Sequence, residues 1–238
     1  MIENTKLHTL SRWNSAMKYL PKFRFSVRTL MIITAMLGVG FGYLGLRMRR
    51  AQKQREVVAW VQEHRGSVEY SFRRGRKLFH IGEIFGSYVP FVDFGKSPVP
   101  EWLLNLFGVD FFHSVTVVDF PLNDDIADLA PLASLTDLKK IWIPFSNVTD
   151  LSSIAHLTQI EELSLSGSSV TDLSPLENFK HLKELVLNAT EVESLEPLFK
   201  LKRLSRVYLW GTKVSKEEVS RLQKALPDCE IGGYKDYP

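Results

Sequence analysis

The second half of the chain repeats itself at one fixed interval. LKKIWIPFSNVTDLSSIAHLTQ from Leu138, IEELSLSGSSVTDLSPLENFKH from Ile160 and LKELVLNATEVESLEPLFKLKR from Leu182 align without a gap. Seven columns hold apolar residues in all three copies, beginning with Leu138/Ile160/Leu182, Ile141/Leu163/Leu185 and Ile143/Leu165/Leu187. Val148/Val170/Val192, Leu151/Leu173/Leu195, Ile154/Leu176/Leu198 and Leu157/Phe179/Leu201 complete the set. One copy alone cannot bury its apolar side, so a chain with this period must stack its copies as successive coils.

The spacing within a copy predicts its local structure. The L-x-x-L-x-L part is a short strand whose alternate side chains point inward. The V-x-x-L-x-x-L-x-x-L part has period three, which suits a 3₁₀-like return in which residues three apart eclipse. Pro131, Pro175 and Pro197 share a column in that return, where a preset φ helps and a backbone donor is not needed. An earlier copy starts near Val115 with one inserted residue, filling the columns with Val115, Val118, Phe120, Ile126, Leu129, Leu132 and Leu135. A fifth begins at Leu204 with Val207, Leu209 and Val214, and then changes character. There Ser215 to Glu218 form an S-x-x-E capping box, Val219, Leu222 and Leu226 follow at helical spacing, and Pro227 stops the helix. This is a C-terminal cap, after which Cys229 and Ile231 add a last short strand with Cys229 buried.

These segments resemble the leucine-rich-repeat superfamily, and SVTDLSPL in particular is similar to the 22-residue repeats of bacterial internalins. The resemblance implies an α/β solenoid, a right-handed coil with short parallel strands along a concave face, over residues 115–231. The family's Asn after the strand is replaced by Ser146, Ser168, Thr190 and Thr212, whose hydroxyls can supply part of the same backbone ladder.

The first half has a different composition. Residues 1–112 carry 17 Lys+Arg against 8 Asp+Glu, whereas residues 113–238 carry 13 against 19. From Thr29 to Leu46 the chain carries no charge, and Arg28 and Arg47 bound the run. At 1.5 Å per residue it covers roughly 27 Å, close to the hydrocarbon thickness of a bilayer. A long leader and an apolar run exceeding a signal core favour an uncleaved single-pass anchor over a secretory signal. Four basic residues precede the run and five follow it closely, so charge does not set the orientation. Basic residues beside such a span are attracted to anionic headgroups, and no nucleic-acid-binding module accompanies them. The arrangement FRFSVRTL, apolar run, RMRRAQKQR is similar to membrane-anchored repeat proteins of planctomycete-type bacteria, which implies a bacterial cell membrane.

The organisation expected is thus a basic tail (1–28), a transmembrane helix (29–46), a helical stalk (47–65) and an N-terminal capping region (66–114). The repeats with their C-terminal cap (115–231) and a tail (232–238) follow. The capping region holds β-like runs GSVEYSF and SYVPFVDF, a short helix between Pro100 and Gly108, and the aromatic residues Trp102, Phe107, Phe111 and Phe112 to cover the first coil.

Catalytic and metal chemistry find little support. The six His pair neither with one another at ligand spacing nor with a nucleophile motif, and one cysteine excludes a thiolate metal site. Asp128, Asp150 and Asp172 share a column that could present a carboxylate ladder to Ca²⁺, but it stands at the start of the return, where a carboxylate accepts backbone N–H bonds, and Ser194 takes the same place in the next copy. Asn147-Val-Thr and Asn188-Ala-Thr match a glycosylation pattern that matters only in a eukaryotic secretory setting. Two outward rows remain. Lys140, Glu162, Glu184 and Arg206 neutralise one another across strands, whereas Trp142, Ser164, Val186 and Tyr208 place two large rings around a smaller-lined trough at Ser164 and Gly167. Trp142, Phe145, Tyr208 and Trp210 are therefore the candidate protein-binding residues, the alternative being that these rings merely cover neighbouring strands or the caps. The function expected is a non-catalytic, membrane-anchored module or scaffold, with no cofactor, holding an unidentified protein on its concave face. The alternative is a structural or assembly subunit of a membrane complex.

Overall fold

The computed structural model describes residues 26–72, 97–121 and 126–233. The basic tail up to residue 25, the SYVPFVDF run and the last five residues lie outside these. The chain divides into two units, Met1–Leu46 and Arg47–Pro238, and helix α1 (Val27–Glu63) runs through the division.

In the first unit the described part of α1 is exposed almost throughout, with Leu30, Met31, Met36, Leu37, Val39 and Phe41 all open. Its best 18-residue window has a mean hydropathy of 1.8 and no buried share. The helix is long and apolar enough to cross a membrane or to act as a signal sequence.

Among the described residues the second unit is built on a seven-stranded sheet in sequential order: β1 (Ser67–Tyr70), β2 (Val115–Asp119), β3 (Lys140–Trp142), β4 (Glu162–Ser164), β5 (Glu184–Val186), β6 (Arg206–Tyr208) and β7 (Glu230–Gly232). β1 pairs antiparallel with β2 and every later pair is parallel. The register steps by one full repeat from Lys140 to Glu162, Glu184 and Arg206, as the period requires. Val117 pairs with Lys140 instead, and this longer step absorbs the inserted residue of the first copy. The returns contain the expected 3₁₀ turns, Ala130–Ser134, Ser152–Ile154, Ser174–Asn178 and Glu196–Leu198, with proline in the first positions of three of them. The apolar columns form one continuous core in which Ile141, Leu163, Leu185 and Val207 are at most 1% exposed.

Residues 47–63 are not a free stalk. Ala51, Gln54, Val57 and Val61 recur three or four residues apart and are buried, so one stripe of α1 closes the apolar end of the first coil. Trp60 meets Phe120 edge-on, with ring centroids 5.7 Å apart. Gly66 N–H donates to Val61 C=O at 2.8 Å and Arg65 N–H to Gln62 C=O at 3.0 Å, with Arg65 at φ 59°, a Schellman ending. Gly66 is needed there because a Cβ would lie 2.6 Å from Val61 and 2.7 Å from Phe120.

Two short helices complete the cap, α2 (Glu101–Phe107) and α3 (Val109–Phe112). Asp110, whose side chain is 8% exposed, accepts from Gln54 Nε2 and Tyr70 Oη, each at 2.9 Å, with Arg55 Nε 3.6 Å away. Gln54 also donates to His113 C=O and accepts from Val115 N–H, so one buried amide joins helix, hairpin and first parallel strand.

The other end is closed by α4 (Lys216–Ala225), whose Ser215 Oγ accepts from Glu218 N–H at 3.2 Å. The expected capping box is only half made. Glu218 turns away from Ser215 and accepts from Leu195 N–H at 2.9 Å, fastening α4 to the preceding coil. Cys229 is buried, and desolvation pushes its thiol up to about 11, which keeps it protonated and unreactive.

Candidate binding face of the sheet

The alternation of the strands leaves two rows of side chains on the side away from the core. In the first row Lys140 Nζ contacts Glu162 at 2.6 Å and Arg206 pairs with Glu184. These bonds join paired strands, so the charges satisfy one another as the sequence predicts. Glu184 raises the Arg206 guanidinium pKa by accepting its hydrogen bonds. Beside this row Glu161 bridges two coils, to Lys139 at 3.1 Å and Lys183 at 2.6 Å, and the Lys183 bond holds its carboxyl below the ordinary range. Half-exposed pairs of this kind contribute at most about 1 kcal/mol each.

In the second row the open trough is not found, and the rings cover neighbouring strands, the alternative reading of the sequence. Trp142 and Tyr208 are half-buried, while Ser164 and Val186 between them are 2% and 4% exposed. Ser164 pairs in register with Trp142, and Val186 with both Ser164 and Tyr208, so the two residues lie between strands that carry large side chains; the Tyr208 ring itself leans over Gly232 of β7, where a Cβ would be 2.8 Å from its Cδ1. Burial, and secondarily Glu184, raises the Tyr208 phenol above its ordinary value. The trough predicted at Ser164 and Gly167 is therefore closed. The ring of Phe145 seats on Gly167, where a Cβ would be 2.6 Å from Phe145 Cδ1.

A conformational column explains that contact. Phe145, Gly167, Ala189 and Gly211, each one repeat after the last, have φ of 56°, 68°, 54° and 69°. Each of the strands β3 to β6 thus exits through a left-handed residue. Phe145 N–H donates to Ser166 C=O at 2.6 Å, Gly167 to Asn188 at 2.7 Å and Ala189 to Trp210 at 2.6 Å, so the left-handed turn carries the interstrand ladder past the strand ends. Sequence reasoning missed this column, although Gly167 and Gly211 two periods apart were its visible trace. Phe145 and Trp210 lie at this exit, 51% and 49% exposed, and Trp210 N–H donates to Asn188 Oδ1 at 2.9 Å. Trp142 and Tyr208 sit on the sheet itself, three strands apart.

The hydroxyls expected to replace the family's Asn do so unequally. Thr190 and Thr212 donate to the carbonyls of Leu187 and Leu209, while the buried hydroxyls of Ser146 and Ser168 meet no partner among the described residues.

On the opposite edge the aspartate column caps the returns. Asp128, Asp150 and Asp172 accept from the N–H two residues ahead at 2.8 Å, and Ser194 does the same at 3.3 Å. The hydroxyls of Ser152 and Ser174, then their N–H groups, hold the Asp150 and Asp172 carboxyls below the usual range. Among the described residues, no three His, Cys, Asp or Glu converge as a metal site would need.

Residues 158–200 match the family model described as Leucine Rich repeats (2 copies). Similar solved structures include internalin C2 of Listeria monocytogenes, 30% identical over 44% of this chain and 45% of that one, with a TM-score of 0.40. A leucine-rich-repeat protein of Leptospira interrogans is 29% identical over 48% of this chain and 30% of that one, at 0.44. A further Listeria monocytogenes internalin is 21% identical over 49% and 40%, at 0.39. The chain spans less than half the length of each of these proteins. No curated protein matches it. The coils that build this sheet are leucine-rich repeats.

Proposed function

We propose that this chain is a non-catalytic binding module of a bacterial cell membrane, held there by residues 29–46 as a single-pass span. The outer, concave face of its sheet takes a protein partner. Repeat solenoids present extended surfaces of this kind and leucine-rich repeats serve protein–protein interaction. The observation that carries the reading is the half exposure of Phe145 and Trp210 at the rim of a sheet whose charged row is already self-paired. Exposed rings flanking a rigid surface are the groups that anchor partners. The contact surface comprises Trp142, Phe145, Tyr208 and Trp210.

A photo-crosslinking residue placed at Trp210 in the full chain, in native membranes, is expected to capture a defined protein band; the same residue at Glu177, on a 3₁₀ turn, is not. Capture at Glu177 and not at Trp210 refutes the assignment of the face. The Trp142→Ala, Tyr208→Ala double variant is expected to keep the repeat fold by circular dichroism and lose the Trp210 band.

A further inference from the structure

The short helix α2 turns an apolar face to solvent. Trp102 and Leu106, four residues apart and so on one side of the helix, are 66% and 67% exposed, more open than any other large apolar side chain among the described residues from Arg47 on. Leu103, Leu104 and Phe107 are half-buried. Phe107, Phe111 and Phe112 stack on one another with ring centroids 4.9 to 6.1 Å apart, so the open face belongs to a packed aromatic cluster.

The two ends of this face carry opposite charges. Glu101, in the first turn, is exposed. Arg55 stands at the other end, where its Nη2 donates to Phe107 C=O at 2.8 Å and its Nε lies 3.6 Å from Asp110, while its side chain stays 54% exposed. Gly108, at φ +82°, leaves the guanidinium its room, since a Cβ there would be 3.2 Å from Nη2. Asn105 is the only other polar residue of α2, so the face between the two charges is neutral.

Such a face is complementary to itself. When two copies of α2 lie antiparallel about a two-fold axis, Trp102 of each meets Leu106 of the other, large against small, and Glu101 of each comes to the Arg55 end of the other. The helix dipoles then oppose as well. Parallel pairing would instead set Trp102 on Trp102, Glu101 on Glu101 and Arg55 on Arg55, with like charges facing. Exchange of two positions across the axis is the mark of an isologous contact, the arrangement of two-fold dimers.

We infer that α2 is a self-association site, through which two copies of this chain pair antiparallel about a two-fold axis. The site uses none of the residues assigned to the partner-binding face. Two side chains offer far less than the roughly 800 Å² per partner of a standard interface, so the pairing is weak and reversible.

Disulfide trapping on the full chain in detergent solution tests it. The background is Cys229→Ala, Cys229 being the one native cysteine. Chains with Trp102→Cys and chains with Leu106→Cys are oxidised separately and as an equal mixture, and Asn147→Cys measures chance collision. All three positions are exposed, so the substitutions leave the core intact. The expected result is a severalfold higher yield of linked dimer from the mixture than from either chain alone or from Asn147→Cys. Glu101→Arg in both chains is expected to bring the mixture down to the chance level at low salt, where surface charges are least screened. A mixture yield equal to that of Asn147→Cys overturns the inference. A higher yield from Leu106→Cys alone than from the mixture overturns it in favour of parallel pairing. A dimer indifferent to Glu101→Arg overturns the charge-paired geometry. A blue-shifted fluorophore at Leu106→Cys without a dimer band assigns the face to lipid or detergent and overturns the pairing equally.

Discussion

The Gly167–Phe145 contact gives a measurement that decides whether Phe145 covers the sheet or is merely displayed on it. Gly167→Ala introduces a Cβ at φ +68°, a left-handed conformation that costs a residue with a side chain roughly 1–2 kcal/mol. The new Cβ would also sit 2.6, 3.1 and 3.2 Å from three atoms of the Phe145 ring. Moving a seated ring adds about 1–3 kcal/mol. The single variant should therefore lose roughly 2–5 kcal/mol, and at about 2–4 °C per kcal/mol for a domain of this size the melting temperature falls measurably. In a Phe145→Ala background the ring is gone and only the backbone cost of about 1–2 kcal/mol remains. Thermal unfolding of the four proteins 47–238 (parent, each single variant, the double) gives the coupling energy directly, expected at about 1–3 kcal/mol. Additivity within about 0.5 kcal/mol would mean that the ring does not rest on Gly167 and that the depression there is open.

Replacing Leu163 with Asp puts an unpaired charge into a position 1% exposed between Ile141 and Leu185, and should cost on the order of 3 kcal/mol or more in thermal unfolding; an unchanged melting temperature would refute the register. A fragment starting at Arg47 should fold and unfold cooperatively, whereas one starting at Gly66 should melt at lower temperature and bind a hydrophobic dye, because it lacks the stripe of Ala51, Gln54, Val57 and Val61; equal melting would show that α1 does not cap the repeats. The Asp150 and Asp172 carboxyls titrate below their ordinary 3.8 in the folded chain, so the stability they contribute is present above that value and is lost as pH falls through their folded values. Denaturation midpoints measured on acidification should decline, and the Asp150→Asn, Asp172→Asn variant should show a flatter decline; identical slopes would refute the assignment.

The repeats were legible because seven apolar columns report the same geometry three times over, and averaging across copies cancels local accident. The return turns were legible for the same reason, down to the role of the aspartate column. The cap was not. Its stripe on α1 counts an alanine and a glutamine among four members, so no apolar pattern marks residues 47–63 as buried, and the partner carboxylate Asp110 lies 56 residues from Gln54. The binding face was legible only in part. Which side chains alternate outward follows from strand period, but their exposure depends on neighbours in adjacent coils and on a left-handed turn. A phenylalanine at φ 56° gives no sign in sequence that it will fold over the next coil's glycine.

The spacing of partners along the chain has a kinetic side. Within the repeats a strand finds its neighbour 22 residues on, as between Lys140 and Glu162, so coils can nucleate anywhere and grow outward at low loop-closure cost. The N-terminal cap closes over longer distances: Thr116 reaches Glu69 across 47 residues and Val115 reaches Gln54 across 61. During synthesis the helical half of the cap leaves the ribosome well before the strand it must cover. The buried stripe of α1 must wait unpaired for the first coil, so closing the cap carries a larger loop-closure cost than adding any coil to its neighbour.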